Sequence, residues 1–179
     1  MDTIFQADLT IVTWIHEHLS CAFLDWLLPF ITTLGNSGFI WLVFSVLLLW
    51  SKKTRPYGVM CALALLMTTL IGEFAIKNLV GRLRPFSHLP QLTLLISPPS
   101  GFSFPSGHSS SSFAGALCIY FMDKKLGRCA LVLAGLIAFS RLYLTVHYLT
   151  DVACGIALGI ACAYLSRRIC RKFSWGKNL

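Results

Sequence analysis

Three groups of residues in this chain could act together on a phosphate ester: Lys77, Arg84 and Pro85; then Pro105, Ser106, Gly107 and His108; then Ser140, Arg141, His147 and Asp151. Lys77 and Arg84 are seven apart, so on one helix stopped by Pro85 they share a face and reach a single anion. Ser106 and Gly107 stand just before an apolar helix. Its unpaired N–H groups and dipole form an anion cradle, and Gly107 lets the backbone approach closely. His108, beside the cradle, could protonate a leaving oxygen. His147 and Asp151 are four apart; if both are helical, the carboxylate accepts the Nδ1 hydrogen and leaves Nε2 free as a nucleophile. Arg141 offers a fork that matches phosphate oxygens.

Each group alone has an ordinary explanation: two cations snorkelling from a helix end, a Ser-capped helix start, a His–Asp pair closing a helix. Their conjunction is what counts. Cations and imidazoles are costly in hydrocarbon, and here they gather on three segments at one membrane face, as a bound phosphate would require.

The elements that must hold these residues are membrane helices. Of 179 residues, 56% are hydrophobic and only 12% charged, with mean hydropathy +0.71; a soluble domain carries about a quarter charged residues. Apolar runs cover 37–51, 57–80, 108–122, 129–147 and 150–166. They predict one all-α domain over residues 1–179, a polytopic bundle of about five transmembrane helices. Residues 1–35 read as interfacial helices, because Asp8, His16, Glu17, His18 and Asp25 interrupt them and Trp14 and Trp26 suit the headgroup level. A short tilted sixth span from Cys21 to Leu34 is the alternative, and Gly35 is expected to end the last of these helices. No cleavable signal peptide is expected, since no Lys or Arg precedes the first apolar stretch. From Pro85 to Pro105 the chain holds five of its seven prolines and reads as an external loop.

The net charge of +8 does not imply a nucleic-acid partner, because the cations are segregated. Lys52, Lys53 and Arg55, then Lys124, Lys125 and Arg128, then Arg167, Arg168, Arg171, Lys172 and Lys177 all fall on one side of a five-span topology. The positive-inside rule makes that side, with the basic tail 167–179, cytoplasmic and turns the polar clusters outward. The seven cysteines form no C-x-x-C pair and read as small core hydrophobes. No carboxylate cluster suits a divalent cation, so neither a metal nor a cofactor is expected. Glu73, one turn before Lys77, is expected to pair with it structurally. Arg82 reads as an interfacial anchor, and His16, His18 and His88 as exposed residues without partners.

Lys77-x6-Arg84-Pro85, Pro105-Ser106-Gly107-His108 and Ser140-Arg141-x5-His147-x3-Asp151 resemble the three-part signature of the type 2 phosphatidic acid phosphatase superfamily. Its membrane members are lipid phosphate phosphatases, and the match spans residues 77–151 in order and spacing. The resemblance implies a six-helix catalytic bundle in a bacterial cytoplasmic membrane, similar to the phosphatidylglycerophosphatase B and undecaprenyl pyrophosphate phosphatase types. It further implies that His147 attacks phosphorus to give a phosphohistidine, Asp151 orients it, and His108 protonates the leaving group and then activates water. Lys77, Arg84, Arg141, Ser106 and Gly107 would hold the phosphoryl oxygens. Undecaprenyl pyrophosphate, phosphatidylglycerophosphate, phosphatidate or a lipid A phosphate would be the substrate. The same residues would serve a phosphotransferase, whereas a non-catalytic phospholipid binder or transporter would need only the cations. A soluble haloperoxidase, which shares the signature, is excluded by the apolar spans. Lipid preference depends on groove shape between helices, and no motif here encodes it or the oligomeric state.

Overall fold

The computed structural model describes residues 3–173; Lys177 and the rest of the tail from 174 lie outside the described residues. Those residues form helices joined by turns and irregular loops: α1 (Thr3–Leu19), α2 (Ala22–Leu34), α3 (Phe39–Trp50), α4 (Arg55–Thr68), α5 (Lys77–Val80), α6 (Gly107–Met122), α7 (Lys124–Tyr143) and α8 (Leu149–Lys172). A π-helical stretch, Thr69–Ile76, joins α4 to α5 without a break in the rod. Such widened turns rotate the faces that follow, and they recur near functional sites.

Helix ends follow local chemistry. Asp123 caps α7, its carboxylate accepting from the N–H groups of Lys125 and Leu126 at 2.8 Å each. Gly35 ends α2, as expected from the sequence, and a tight turn over Asn36–Gly38 leads into α3. Ser37 and Gly38 take left-handed backbone there, φ +52° and +67°, and bend α2 against the segment that follows by 44°. The run 37–51 is therefore one arm of a bent helix pair that begins at Ala22, a broken span or a re-entrant loop. Arg55–Ser87, Lys124–Tyr143 and Leu149–Lys172 are long and apolar enough to cross a membrane, and the bent pair makes a fourth candidate. With 16 residues, α6 is shorter than these. It lies at the centre of the bundle, packed against α4, α7 and α8.

Close approach of α6 to α8 depends on glycine. A Cβ at Gly155 would stand 2.5 Å from the Ser106 carbonyl oxygen, and one at Gly159 would stand 2.3 Å from that of Ser110. Small residues let membrane helices pack backbone to backbone in this way. Trp41 fills the opposite side of α6, its indole N–H donating to Ser112 Oγ at 3.0 Å. The outer surface is apolar, with Trp50, Leu79 and Val132 among its exposed side chains, as a lipid-facing bundle requires.

Alternating helix directions sort the connections. The turns at Ser51–Thr54 and Asp123, and the C-terminal end of α8, lie at one end of the bundle with the basic residues. Segments 81–106 and 144–148 lie at the other.

Candidate active site

Asp151 and His147 organise this second end. α7 stops at Tyr143, Thr145 takes φ +54°, and α8 starts only at Leu149. His147 therefore sits in a tight loop, which corrects the expectation of a helical pair. Its backbone N–H and that of Val146 both donate to the Arg141 carbonyl at 3.2 Å, fixing the loop. Asp151 nonetheless faces the ring: it is the third residue of α8, and its Oδ2 accepts from the Tyr148 N–H at 2.9 Å in a capping arrangement. The same oxygen lies 3.6 Å from His147 Nδ1. Ser103 stands between them, donating to Oδ2 at 2.5 Å with its Oγ 3.4 Å from Nδ1.

Arg84 also departs from expectation. Gly81 ends α5 in left-handed backbone, φ +60°, and Arg84 is extended, so it does not share a helix face with Lys77. The loop carries it across the bundle instead. Its guanidinium donates to the carbonyls of Gly101 and Ser100 at 3.1 Å and of Val146 at 3.0 Å, and Nη1 lies 3.2 Å from His147 Nε2. These acceptors hold Arg84 beside His147 Nε2. Pro85 is buried behind it.

Arg141 is buried at the end of α7 beside Ser140; Nη1 donates to Thr32 Oγ1 at 2.5 Å. Its Nε has no hydrogen-bond partner among the described residues. A buried guanidinium N–H without an acceptor costs about 1–3 kcal/mol or more, and an anion's oxygen would relieve it. His108 opens α6, with Nε2 3.0 Å from Asn36 Oδ1. Arg141, His147, Arg84 and Lys77 all lie near enough to influence it electrostatically, which places the five at one site. Ser106 caps α6, accepts from Ser109 Oγ at 2.9 Å, and donates its N–H to the Asp151 carbonyl at 3.0 Å, tying the cradle to α8.

Glu73 pairs with Lys77 as expected: Nζ donates to both carboxylate oxygens at 2.7 Å. That carboxylate also lies against Gly107, where an added Cβ would meet Oε1 at 2.2 Å. An anion of the protein's own thus occupies the mouth of the cradle.

Arg82 corrects the reading as an anchor in the headgroups, because its guanidinium bridges Asp151 and Asp8. Sequence patterns missed Asp8, Asn36, Thr32 and Ser103; only the polar interruption of α1 at Asp8 signalled anything. The other histidines have neighbours: His18 stacks on Trp14 at 4.9 Å, His88 meets Phe5 edge-on at 5.2 Å, and the His16 carbonyl accepts from Ser20 Oγ at 2.5 Å. All seven cysteines are free; Cys61, Cys118, Cys162 and Cys170 are buried, and Cys21, Cys129 and Cys154 are exposed.

A family model described as the PAP2 superfamily matches residues 26–175. This chain belongs to the PAP2 superfamily. Its similarity to the undecaprenyl-diphosphatase of Sulfolobus acidocaldarius is 31% identity over 149 residues, 83% of this chain and 71% of that protein. With phosphatidylglycerophosphatase B of Bacillus subtilis it shares 31% identity, over 85% of this chain and 73% of the other. Among solved structures, the transmembrane PAP2-type phosphatidylglycerolphosphate phosphatase of Bacillus subtilis superposes with a TM-score of 0.78 at 26% identity, covering 96% of this chain and 88% of that one. LpxE of Aquifex aeolicus gives 0.73 at 26% identity, covering 90% and 95%. The all-helical membrane fold is thus that of PAP2 phosphatases.

Proposed function

We propose that this PAP2 protein hydrolyses the phosphomonoester or diphosphate of a membrane lipid through a phosphohistidine formed on His147. The observation that carries this reading is the buried imidazole of His147, with Ser103 Oγ 3.4 Å and Asp151 Oδ2 3.6 Å from Nδ1 and Arg84 Nη1 3.2 Å from Nε2. Burial pushes that imidazole down to about 3, against the opposing pull of Asp151, so the ring is uncharged at neutral pH.

The phosphoryl group would bind among Lys77, Arg84, Arg141, the Ser106 side chain and the Gly107 backbone, displacing Glu73 from Lys77. The N–H of Arg84 that Nε2 now accepts would move to a phosphoryl oxygen, and the orphaned Nε of Arg141 would gain an acceptor. Nε2 then attacks phosphorus while the P–O bond to the lipid breaks and His108 protonates the departing oxygen. Asp151 stabilises the charged imidazole. Water, deprotonated by His108, cleaves the N–P bond and releases phosphate. The cations offset charge on the equatorial oxygens in both steps.

The relatives support a lipid phosphate and differ in which one: their names include an undecaprenyl-diphosphatase, a phosphatidylglycerophosphatase and a lipid A 4'-phosphatase. Purified protein in detergent, with EDTA present, is expected to release inorganic phosphate from at least one of undecaprenyl diphosphate, phosphatidylglycerophosphate, phosphatidate and lipid A. Silence on all four would overturn the reading in favour of a binding or transport protein.

The site lies at the end opposite the basic turns, which supports an outward-facing site and a cytoplasmic C-terminus. With the native cysteines replaced, Ser87→Cys is expected to react with an impermeant thiol reagent in intact cells; labelling only after permeabilisation would reverse the orientation.

A further inference from the structure

Behind Asp151 lies a cluster of charges that the proposed chemistry does not use. Arg82 Nη1 donates to Asp151 Oδ1 and to Thr150 Oγ1, and Nη2 donates to Asp8 Oδ2, all at 2.7 Å. Asp8, on α1, accepts a further bond from the Thr150 N–H at 3.0 Å and one from the Thr150 hydroxyl. The Arg82 guanidinium lies over the Tyr148 ring, its Cζ 3.9 Å from the centroid, and the Arg82 backbone carbonyl accepts the Ser103 N–H at 2.7 Å. Asp8 is 2% exposed and Asp151 0%. Carboxylates so buried must be paired, and removing a partner is costly. This is no surface ion pair.

We infer that Arg82, clamped by Asp8 of α1, is a positioning residue that fixes the Asp151 carboxylate against His147, so that the N-terminal helix is part of the catalytic apparatus. The inference rests on the proposed roles of His147 and Asp151. It reaches beyond the shared family segment, because the family match begins at residue 26 and Asp8 precedes it.

The charge arithmetic explains why a second carboxylate is needed. Arg82 beside Asp151 alone would cancel the negative charge that must stabilise the imidazolium of His147. Asp8 restores it, leaving the trio one net negative charge. Geometry is held as well: the two arms of the guanidinium span α1 and α8, and Ser103 is fixed by the same residue's carbonyl. Lysine would keep the charge and lose the span.

The test uses full-length protein in detergent on two probes, a short-chain polyprenyl diphosphate and phosphatidate, with His147→Ala alongside. Asp8→Asn and Arg82→Lys are each expected to lower kcat about tenfold to a hundredfold, the range seen when outer partners of metal-ligating histidines are lost. KM should be unchanged, since neither residue touches the phosphate, and Asp8→Glu should recover most of the rate. The charged or titratable groups acting on His147 are Arg84, Arg141, Asp151 and His108. With these constant, Asp8→Asn should move the acid limb of the kcat profile to lower pH and Arg82→Gln to higher pH, since one removes negative and the other positive charge. A shift in the same direction would overturn the inference, as would kcat within twofold of wild type for both variants while His147→Ala is inactive; α1 would then be only an anchor. If Asp8→Asn does not purify as folded protein, Arg82→Lys decides by the same kcat criterion. Activity that survives His147→Ala would instead remove the proposed function itself.

Discussion

Protein carrying His147→Ala is expected to release phosphate at least about 10⁴-fold more slowly than wild type on every lipid, the scale on which loss of a nucleophile acts. Water cannot take over readily. The ring has Arg84 at Nε2 and Asp151 and Ser103 beside Nδ1, and the space it leaves faces a guanidinium whose carbonyl acceptors stay in place. A water there would be a weaker nucleophile than the imidazole it replaces, and no ring nitrogen would remain to take the phosphoryl group. The variant should still bind the phosphorylated lipid, since Lys77, Arg84 and Arg141 remain. Alkaline quenching of wild type with labelled substrate should leave label on the chain, and the same quench of His147→Ala should leave none. Label retained by the variant would move the nucleophile elsewhere.

The second large effect is mechanical. Gly155→Ala should lower kcat about a hundredfold, the cost of misplacing reacting groups by about an ångström. The added Cβ would lie 2.5 Å from the Ser106 carbonyl oxygen and 3.1 Å from Ser109 Cβ. The first obstacle is backbone and cannot swing aside, so α8 must move away from α6. Asp151 stands one turn earlier on α8, and its carbonyl holds the Ser106 N–H at 3.0 Å. Separating the helices therefore pulls the carboxylate of one motif from the cradle of another. Overpacking of this kind also costs about 1–3 kcal/mol of stability, so melting temperature should fall with activity. Gly135→Ala is the control: its Cβ would meet nothing within 4 Å, and both readouts should match wild type. Wild-type kcat for Gly155→Ala would mean that the helices have slack the structure does not show.

The residue types at the site were legible because their chemistry is costly in a membrane, and spacing alone brought out all three motifs. Their local geometry was less so. Counting seven from Lys77 to Arg84 presumed a helix as far as Pro85, yet Gly81 breaks it four residues earlier and Arg84 arrives by an extended path. Counting four from His147 to Asp151 gave the right neighbours for the wrong reason, since the contact comes from a cap at the start of α8. Ser103 comes from a proline-rich loop, where no periodicity reports direction. Asp8 and Arg82 were hidden because a charge at a membrane edge is ordinarily solvated, and only the fold shows that each points at the other. The bend at Ser37 depends on left-handed backbone at a residue that does not advertise it.

The loop between α5 and α6 is knotted at both ends by neighbouring arginines: Arg84 grips the carbonyls of Ser100 and Gly101, and the Arg82 carbonyl receives Ser103. The stretch from residue 90 to 99 runs between the two knots, with Ile96 packed against the core. Doubling the length of such a segment adds only about 0.6 kcal/mol of closure cost, so it can lengthen, shorten or change sequence while both knots stay tied. Under the proposed function such a scaffold is modular: the reacting groups stay fixed while the loop beside them is exchanged, and one set of residues serves enzymes of differing taste.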